Sequence, residues 1–145
     1  MGGVYVAGKP TTGDRIHVIN EHLHGRCYCY PTLAADINVS DGGSSWAEGS
    51  LTQIVAAGVI TMPFDIHYLS VSAVSNKDLY ELSLYYGDTD IECGRIRFAR
   101  DSNQYNPPHI PFMTPLLPAG SRIRAKLASL TGGFDADISV FYHMY

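Results

Sequence analysis

Cysteine is scarce in this sequence: three residues in a chain of 145. With no recognisable secretory signal, three thiols do not make a disulfide framework. Cys27 and Cys29 are also poorly placed to bridge each other. Alternate residues of an extended strand lie about 6–7 Å apart with parallel side chains, whereas an unstrained bridge wants facing Cβ atoms about 3.8 Å apart. Any one pair made with Cys93 leaves a thiol over, and Cys27 and Cys29 are therefore candidates for a link between chains. Basic charge is scarce too. Ten Lys and Arg against fourteen Asp and Glu leave a net charge of −4, which excludes the broad basic stripe of a nucleic-acid binder. Nothing approaches the roughly 18 consecutive apolar residues of a membrane span, so no membrane partner is expected. The start, "MGGVYVAGKPTTGDRIHV", lacks the charged-then-apolar layout of a secretory signal. Val6 stands where a myristoylation site wants Ser or Thr. The expectation is a protein made and kept in the cytoplasm that produces it.

Sustained 3.6-residue apolar stripes are missing as well. What recurs is period-2 alternation, the signature of half-buried strands. In "SRIRAKLASL", Ile123, Ala125 and Leu127 face one way and Arg122, Arg124 and Lys126 the other. Tyr80, Leu82 and Leu84 oppose Glu81 and Ser83; Ile96 and Phe98 oppose Arg95 and Arg97; Ile138, Val140 and Tyr142 oppose Asp137, Ser139 and His143. "FDIHYLSVSAV" is apolar on both sides, as expected of a strand between two layers. Turn signals separate the runs: "SNKD" at 75–78, "YGDTD" at 86–90, "DSNQYNPP" at 101–108 and "TGGFD" at 131–135. The prolines of "PPHIPFMTPLLPAG" exclude a central strand and suit a long crossing connection. Together these predict an all-β fold, an antiparallel β-sandwich of jelly-roll or Greek-key type.

The first third is polar and turn-prone. Residues 1–30 read as an extended N-terminal arm or loosely attached strand, and 31–145 as the sandwich domain. Val4, Tyr5, Val6, Ile16, Val18 and Ile19 give the arm enough apolar surface to lie on a neighbour.

The most chemically loaded run is "HLHGRCYC" at 22–29. Histidine and thiolate are good zinc or copper ligands, and an i, i+2 pair on a strand projects to one face. Structural zinc sites, however, space cysteines by two to four residues so that a turn wraps one ion. Here Gly25-Arg26 alone must fold His-x-His back onto Cys-x-Cys. The expectation is therefore no metal and no cofactor, with Cys27 and Cys29 on a plain strand. No nucleophile triad, paired carboxylate or phosphate loop stands out, since "GKPTTGD" lacks the upstream glycine of a P-loop. Asp65 and His67 share a strand face and imitate a dyad, but nothing in the sequence places a nucleophile beside them. Arg95, Arg97, Arg122, Arg124 and Lys126 form the one basic concentration, joined by Arg100. They read as a protein interface or an intrachain pairing surface rather than a polyanion groove, given the acidic total. If their two strands adjoin, like charges oppose each other unless a carboxylate intervenes.

Several stretches together resemble a family of small structural proteins of tailed bacteriophages, the head decoration, cement or auxiliary capsid proteins. They are Phe64-Asp65-Ile66-His67, Tyr80-Glu81-Leu82 with Leu84-Tyr85, the Arg95/Arg97 "RIRF" run, Pro118 through Ile123 with its "AKLAS" continuation, and the closing Tyr142-His143-Met144-Tyr145. The resemblance covers about the last two thirds of the chain and leaves "HLHGRCYC" outside. It implies a jelly-roll sandwich on the outer surface of a virion capsid, made in the host cytoplasm. The implied partners are the major capsid protein and further copies of itself, as a homotrimer. On this reading the chain is not an enzyme. Two rivals stay open: a virion-surface glycan-binding or head-fibre module, which ten tyrosines and five phenylalanines also suit, and a cupin-like metal enzyme. The second needs inward-facing His and Glu ligands on two strand motifs, a set not found in the sequence.

Overall fold

Ile123, Ala125 and Leu127 are fully buried, and Arg122, Arg124 and Lys126 alternate with them on the opposite face. The alternation of that run is thus a strand lying on a core. The computed structural model describes residues 26–101 and 109–145, in which all regular structure is β. The strands are β1 (Cys27–Tyr30), β2 (Ile37–Ser40), β3 (Thr52–Val55), β4 (Phe64–Val74), β5 (Asp78–Tyr86), β6 (Ile91–Arg100), β7 (His109–Pro111), β8 (Ile123–Ser129) and β9 (Asp135–Met144). Among the described residues no helix is long and apolar enough to cross a membrane.

One sheet runs β1-β9-β4-β7, with β2 also paired to β9, and the other runs β3-β8-β5-β6. Every named pairing is antiparallel. Early and late strands interleave, because the chain passes from sheet to sheet after β2, β3, β4, β6, β7 and β8. This is the winding of a jelly roll. The Pro-rich segment is the crossing connection expected of it. It leaves β6 for the far edge of the other sheet, forms β7 beside β4, and returns to β8. On the way Phe112 closes the space between the sheets by lying on Gly94, where an added Cβ would come within 2.6 Å of its ring.

Phe64, Ile66, Leu69 and Val71 of β4 and Ile138 and Val140 of β9 form one buried cluster with Tyr80, Leu82 and Leu84 of β5 and Ile123 and Leu127 of β8. Full burial of each such side chain contributes about 1.5–3 kcal/mol. Ile96, on the edge strand β6, is only half-buried. Among the described residues the buried polar side chains are serines and Arg100, with no His or carboxylate. The described interior thus holds none of the inward-facing His and Glu that the cupin-like alternative needs.

Of the stretch read as an arm or loosely attached strand, residues 27–30 form β1, which pairs with β9 from Cys27↔His143 to Tyr30↔Val140; residues 1–25 lie outside the described residues. Two expectations are corrected. β4 is not apolar on both faces. Its register with β9 slips between Ile66 and Tyr68 and again between Val71 and Ala73, so the inward set is Phe64, Ile66, Leu69, Val71 and Val74. Two bulges each add a residue and move Tyr68 to the outside. Finally, Arg100 does not join the basic face. It is buried and donates through Nη1 to the Val71 carbonyl of the other sheet.

Candidate functional site

The five basic residues singled out from the sequence all stand on the outer face of the β3-β8-β5-β6 sheet. Their strands do not adjoin: β5 lies between β6 and β8, and its outward carboxylate Glu81 separates the charges. Arg97 donates Nε to Glu81 at 2.7 Å, and Arg95 donates Nη1 to the other Glu81 oxygen at 2.7 Å. Arg95 also reaches Glu92, Nε at 3.1 Å and Nη2 at 2.8 Å. Arg124 forks onto Asp90, while Arg122 donates to the carbonyls of Gly87 and Asp88 in the β5–β6 turn. The Arg97 guanidinium lies 4.3 Å from the Trp46 ring centroid and the Lys126 ammonium 5.6 Å from that of Tyr85. Arg97, foremost, and Arg95 hold the Glu81 carboxyl below its ordinary range, and Arg95 does the same for Glu92. Exposed pairs of this kind contribute about 0–1 kcal/mol each. What they offer a partner is a neutralised lattice of ion pairs, not a basic stripe.

The outer face of the other sheet is chemically different. Tyr28 and Tyr30 of β1 pack on the core, which turns Cys27 and Cys29 outward. His22 and His24 lie outside the described residues. Across β9 from Cys27 stands His143, and across from His143 stands Asp65 on β4. The first β4 bulge falls at His67, so this side chain shares the outer face with Asp65. His67 Nε2 lies 2.9 Å from Asp65 Oδ1. The His67 and His143 rings are 4.2 Å apart at 56°. Tyr145 donates its hydroxyl to Asp65 Oδ2 at 2.8 Å. Burial first, then that bond and the charge of Asp65, push the Tyr145 phenol up to about 12, so it stays a donor at neutral pH. The sequence showed Asp65 and His67 as a pair. It did not show His143, which a register across 78 positions brings beside Asp65.

All three cysteines are free. Cys27 is exposed; Cys29 is half-buried, with its thiol directed at the Pro31 carbonyl. Burial pushes all three thiols up, Cys93 to about 11. The thiolate is the reactive form, so iodoacetamide at neutral pH is expected to modify Cys27 first and Cys93 last, an order that peptide mass mapping checks.

A third feature is the β7 edge of the first sheet, which pairs with no further strand among the described residues. Residues 112–117 continue β7 along β4 through Phe112 N to His67 O, Thr114 N to Ile66 O and Leu117 N to Phe64 O. Along this edge Met113 is 79% and Leu116 60% exposed, near the exposed Met62 and Tyr68.

No protein-family model and no curated protein matches the chain. Among solved structures it is similar to the C-terminal carbohydrate-binding module (CBM6) of the laminarinase LamC from Zobellia galactanivorans, at 13% identity and a TM-score of 0.42, over 81% of this chain and 99% of that one. It is similar to a CBM36 domain of a xylanase from the hindgut metagenome of Trinervitermes trinervoides, at 8% identity and a TM-score of 0.45, over 81% and 95%. It is also similar to the VP2 subviral particle of infectious bursal disease virus, at 15% identity and a TM-score of 0.40, over 84% of this chain and 33% of that one. At such identities the likeness concerns strand arrangement alone.

Proposed function

We propose that this chain is a non-enzymatic structural protein of a tailed-phage virion, seated on the outer capsid surface as a decoration or cement protein in contact with the major capsid protein. The observation that carries the reading is where the molecule keeps its apolar surface. Its interior is filled by side chains, while Met113 and Leu116 project from a sheet edge that no other described strand covers. Exposed apolar residues gathered on one edge suit a protein contact, and the prolines at 111 and 115 limit strand-on-strand aggregation there. The stretches that resemble the cement family supply β4, β5, β6, β8 and β9, the frame that presents this edge. A homotrimer bridging capsomers turns weak individual contacts into a firm attachment through effective concentration. The protein is expected to co-purify with intact particles at a copy number comparable to the major capsid protein. Met113→Asp with Leu116→Asp should cut particle binding at least tenfold while leaving the denaturation midpoint of the free protein nearly unchanged. A few copies per particle, or none, defeats the reading.

A second reading rests on Tyr68. This ring is 44% exposed and stands beside His67, with ring centroids 6.5 Å apart, an apolar face with a polar neighbour, as sugar recognition requires. Binding to host glycans that Tyr68→Ala abolishes, with particle attachment intact, makes the protein a virion-borne glycan binder.

A further inference from the structure

We infer that Asp65, His67 and His143 form a binding site for one divalent transition-metal ion, of the zinc class, on the outer face of the β1-β9-β4-β7 sheet. The inference is independent of the virion reading. One ligand atom from each residue lies within 4.8 Å of the other two. A tetrahedral zinc ion with ligands at about 2.0–2.2 Å separates its donors by about 3.3–3.5 Å, so small side-chain rotations close the site. Each residue is brought there by the backbone. Asp65 and His143 are direct cross-strand partners on β4 and β9, and the bulge at His67 turns that ring toward them instead of along the next pleat.

The surroundings fit a ligand set better than a plain hydrogen-bonded pair. One imidazole suffices to partner a carboxylate, yet here two converge on it, with their rings 4.2 Å apart and tilted rather than stacked. Tyr145 holds Oδ2 of Asp65, which fixes the carboxylate and directs Oδ1 toward His67. This is the support that metal-ligating carboxylates receive from their outer neighbours. Side-chain exposures of 21% for His67 and 16% for Asp65 leave the site partly shielded but open to an entering ion. Two imidazoles and one carboxylate select zinc, cobalt, nickel or copper over calcium and magnesium, which prefer all-oxygen sites. Three protein ligands leave a fourth position facing outward for water or a group from a partner. The ion would tie β4 to β9, the central pair of the sheet. Cys27 stands on the far side of His143 from Asp65 and is not among the ligands.

The test titrates the metal-stripped full-length protein with Zn²⁺, and separately with Co²⁺ as a spectroscopic probe. One equivalent of Zn²⁺ should bind, and at a hundredfold excess over Kd should raise Tm by about 5–10 °C, reversibly with chelator. Ca²⁺ and Mg²⁺ should leave Tm unchanged. Co²⁺ should give the visible absorption of a four-coordinate nitrogen and oxygen site without a thiolate charge-transfer band. Binding should be lost in His143→Gln and His67→Ala, and kept in Cys27→Ser/Cys29→Ser and in His22→Ala/His24→Ala. The Co²⁺ spectrum of the unaltered protein decides the ligand type even where a variant folds poorly. No stoichiometric binding overturns the site. So does a thiolate band, or loss of binding in the cysteine variant, either of which moves the ion to the 22–29 run.

Discussion

Leu127→Ala and Leu84→Ala are each expected to lower unfolding free energy by about 2–5 kcal/mol, the range for deleting a large side chain from a packed core. Both residues are fully buried. They sit on the two central strands of the β3-β8-β5-β6 sheet, Leu127 opposite Leu82 and Leu84 opposite Ala125. The cavity each would leave is walled by strands that are hydrogen-bonded on both sides and collapse poorly. Arg124→Ala, one residue from Ala125 on the opposite face, is expected to cost roughly 1 kcal/mol or less, because it removes only a partly exposed ion pair with Asp90. A urea series on the three variants checks the contrast through the midpoint at constant slope. Equal losses would mean that the inner and outer faces of β8 are inverted.

That contrast was legible in the sequence because apolar and polar residues alternate from Ile123 to Leu127 in β8, as they do from Tyr80 to Leu84 in β5 and from Ala136 to Val140 in β9. β4 was misread for a definite reason. Its inward residues follow steps of two, three, two and three, and only pairing with β9 says where the extra residues go. The same long-range register places His143 beside Asp65. Local pattern carries the period of a strand but not its neighbour, so a cluster built across two strands stays hidden while each half looks ordinary. The charged face was half legible. The alternation put Arg95, Arg97, Arg122, Arg124 and Lys126 outside, and the need for an intervening carboxylate followed from like-charge repulsion. That the carboxylate is Glu81, supplied by a strand inserted between the two basic ones, depends on the jelly-roll order. "VSDGGSSWAEGS" offered little apolar material and gave no hint that it is laid on the sandwich. Its backbone is nevertheless anchored there, with Trp46 N bonded to Ser129 O and Gly49 N to Leu127 O.

Asp41 is the residue that fastens this segment, and Asp41→Ala is expected to cost roughly 2–4 kcal/mol, since charge-assisted bonds are worth more than neutral ones and their donors are left unmet. Its carboxylate accepts the backbone N–H of Gly43 at 2.8 Å, of Gly133 at 2.9 Å and of Phe134 at 3.0 Å, and the Ser129 hydroxyl as well. It thereby ties the turn after β2 to the turn between β8 and β9. The two turns touch so closely that a Cβ on Gly132, already at a φ of +93°, would fall 2.5 Å from the Ser44 backbone. Only glycine fits there. Burial pushes the Asp41 carboxyl up, but the bonds from Ser129, Phe134, Gly43 and Gly133 together outweigh it and hold the group below its ordinary value. A depressed folded value means that the stabilisation is present above the unfolded carboxyl range, about 3.9, and is lost as pH falls through the folded value. Urea midpoints of the unaltered protein and of Asp41→Ala should therefore differ most at pH 6–7 and converge below about pH 4. Asp41→Asn, which keeps an acceptor but no charge, should fall between them at neutral pH. Glu81 and Glu92 titrate equally in all three proteins, so the difference between the curves isolates Asp41. A gap that stays constant from pH 7 to pH 3 would show that the carboxylate charge contributes nothing.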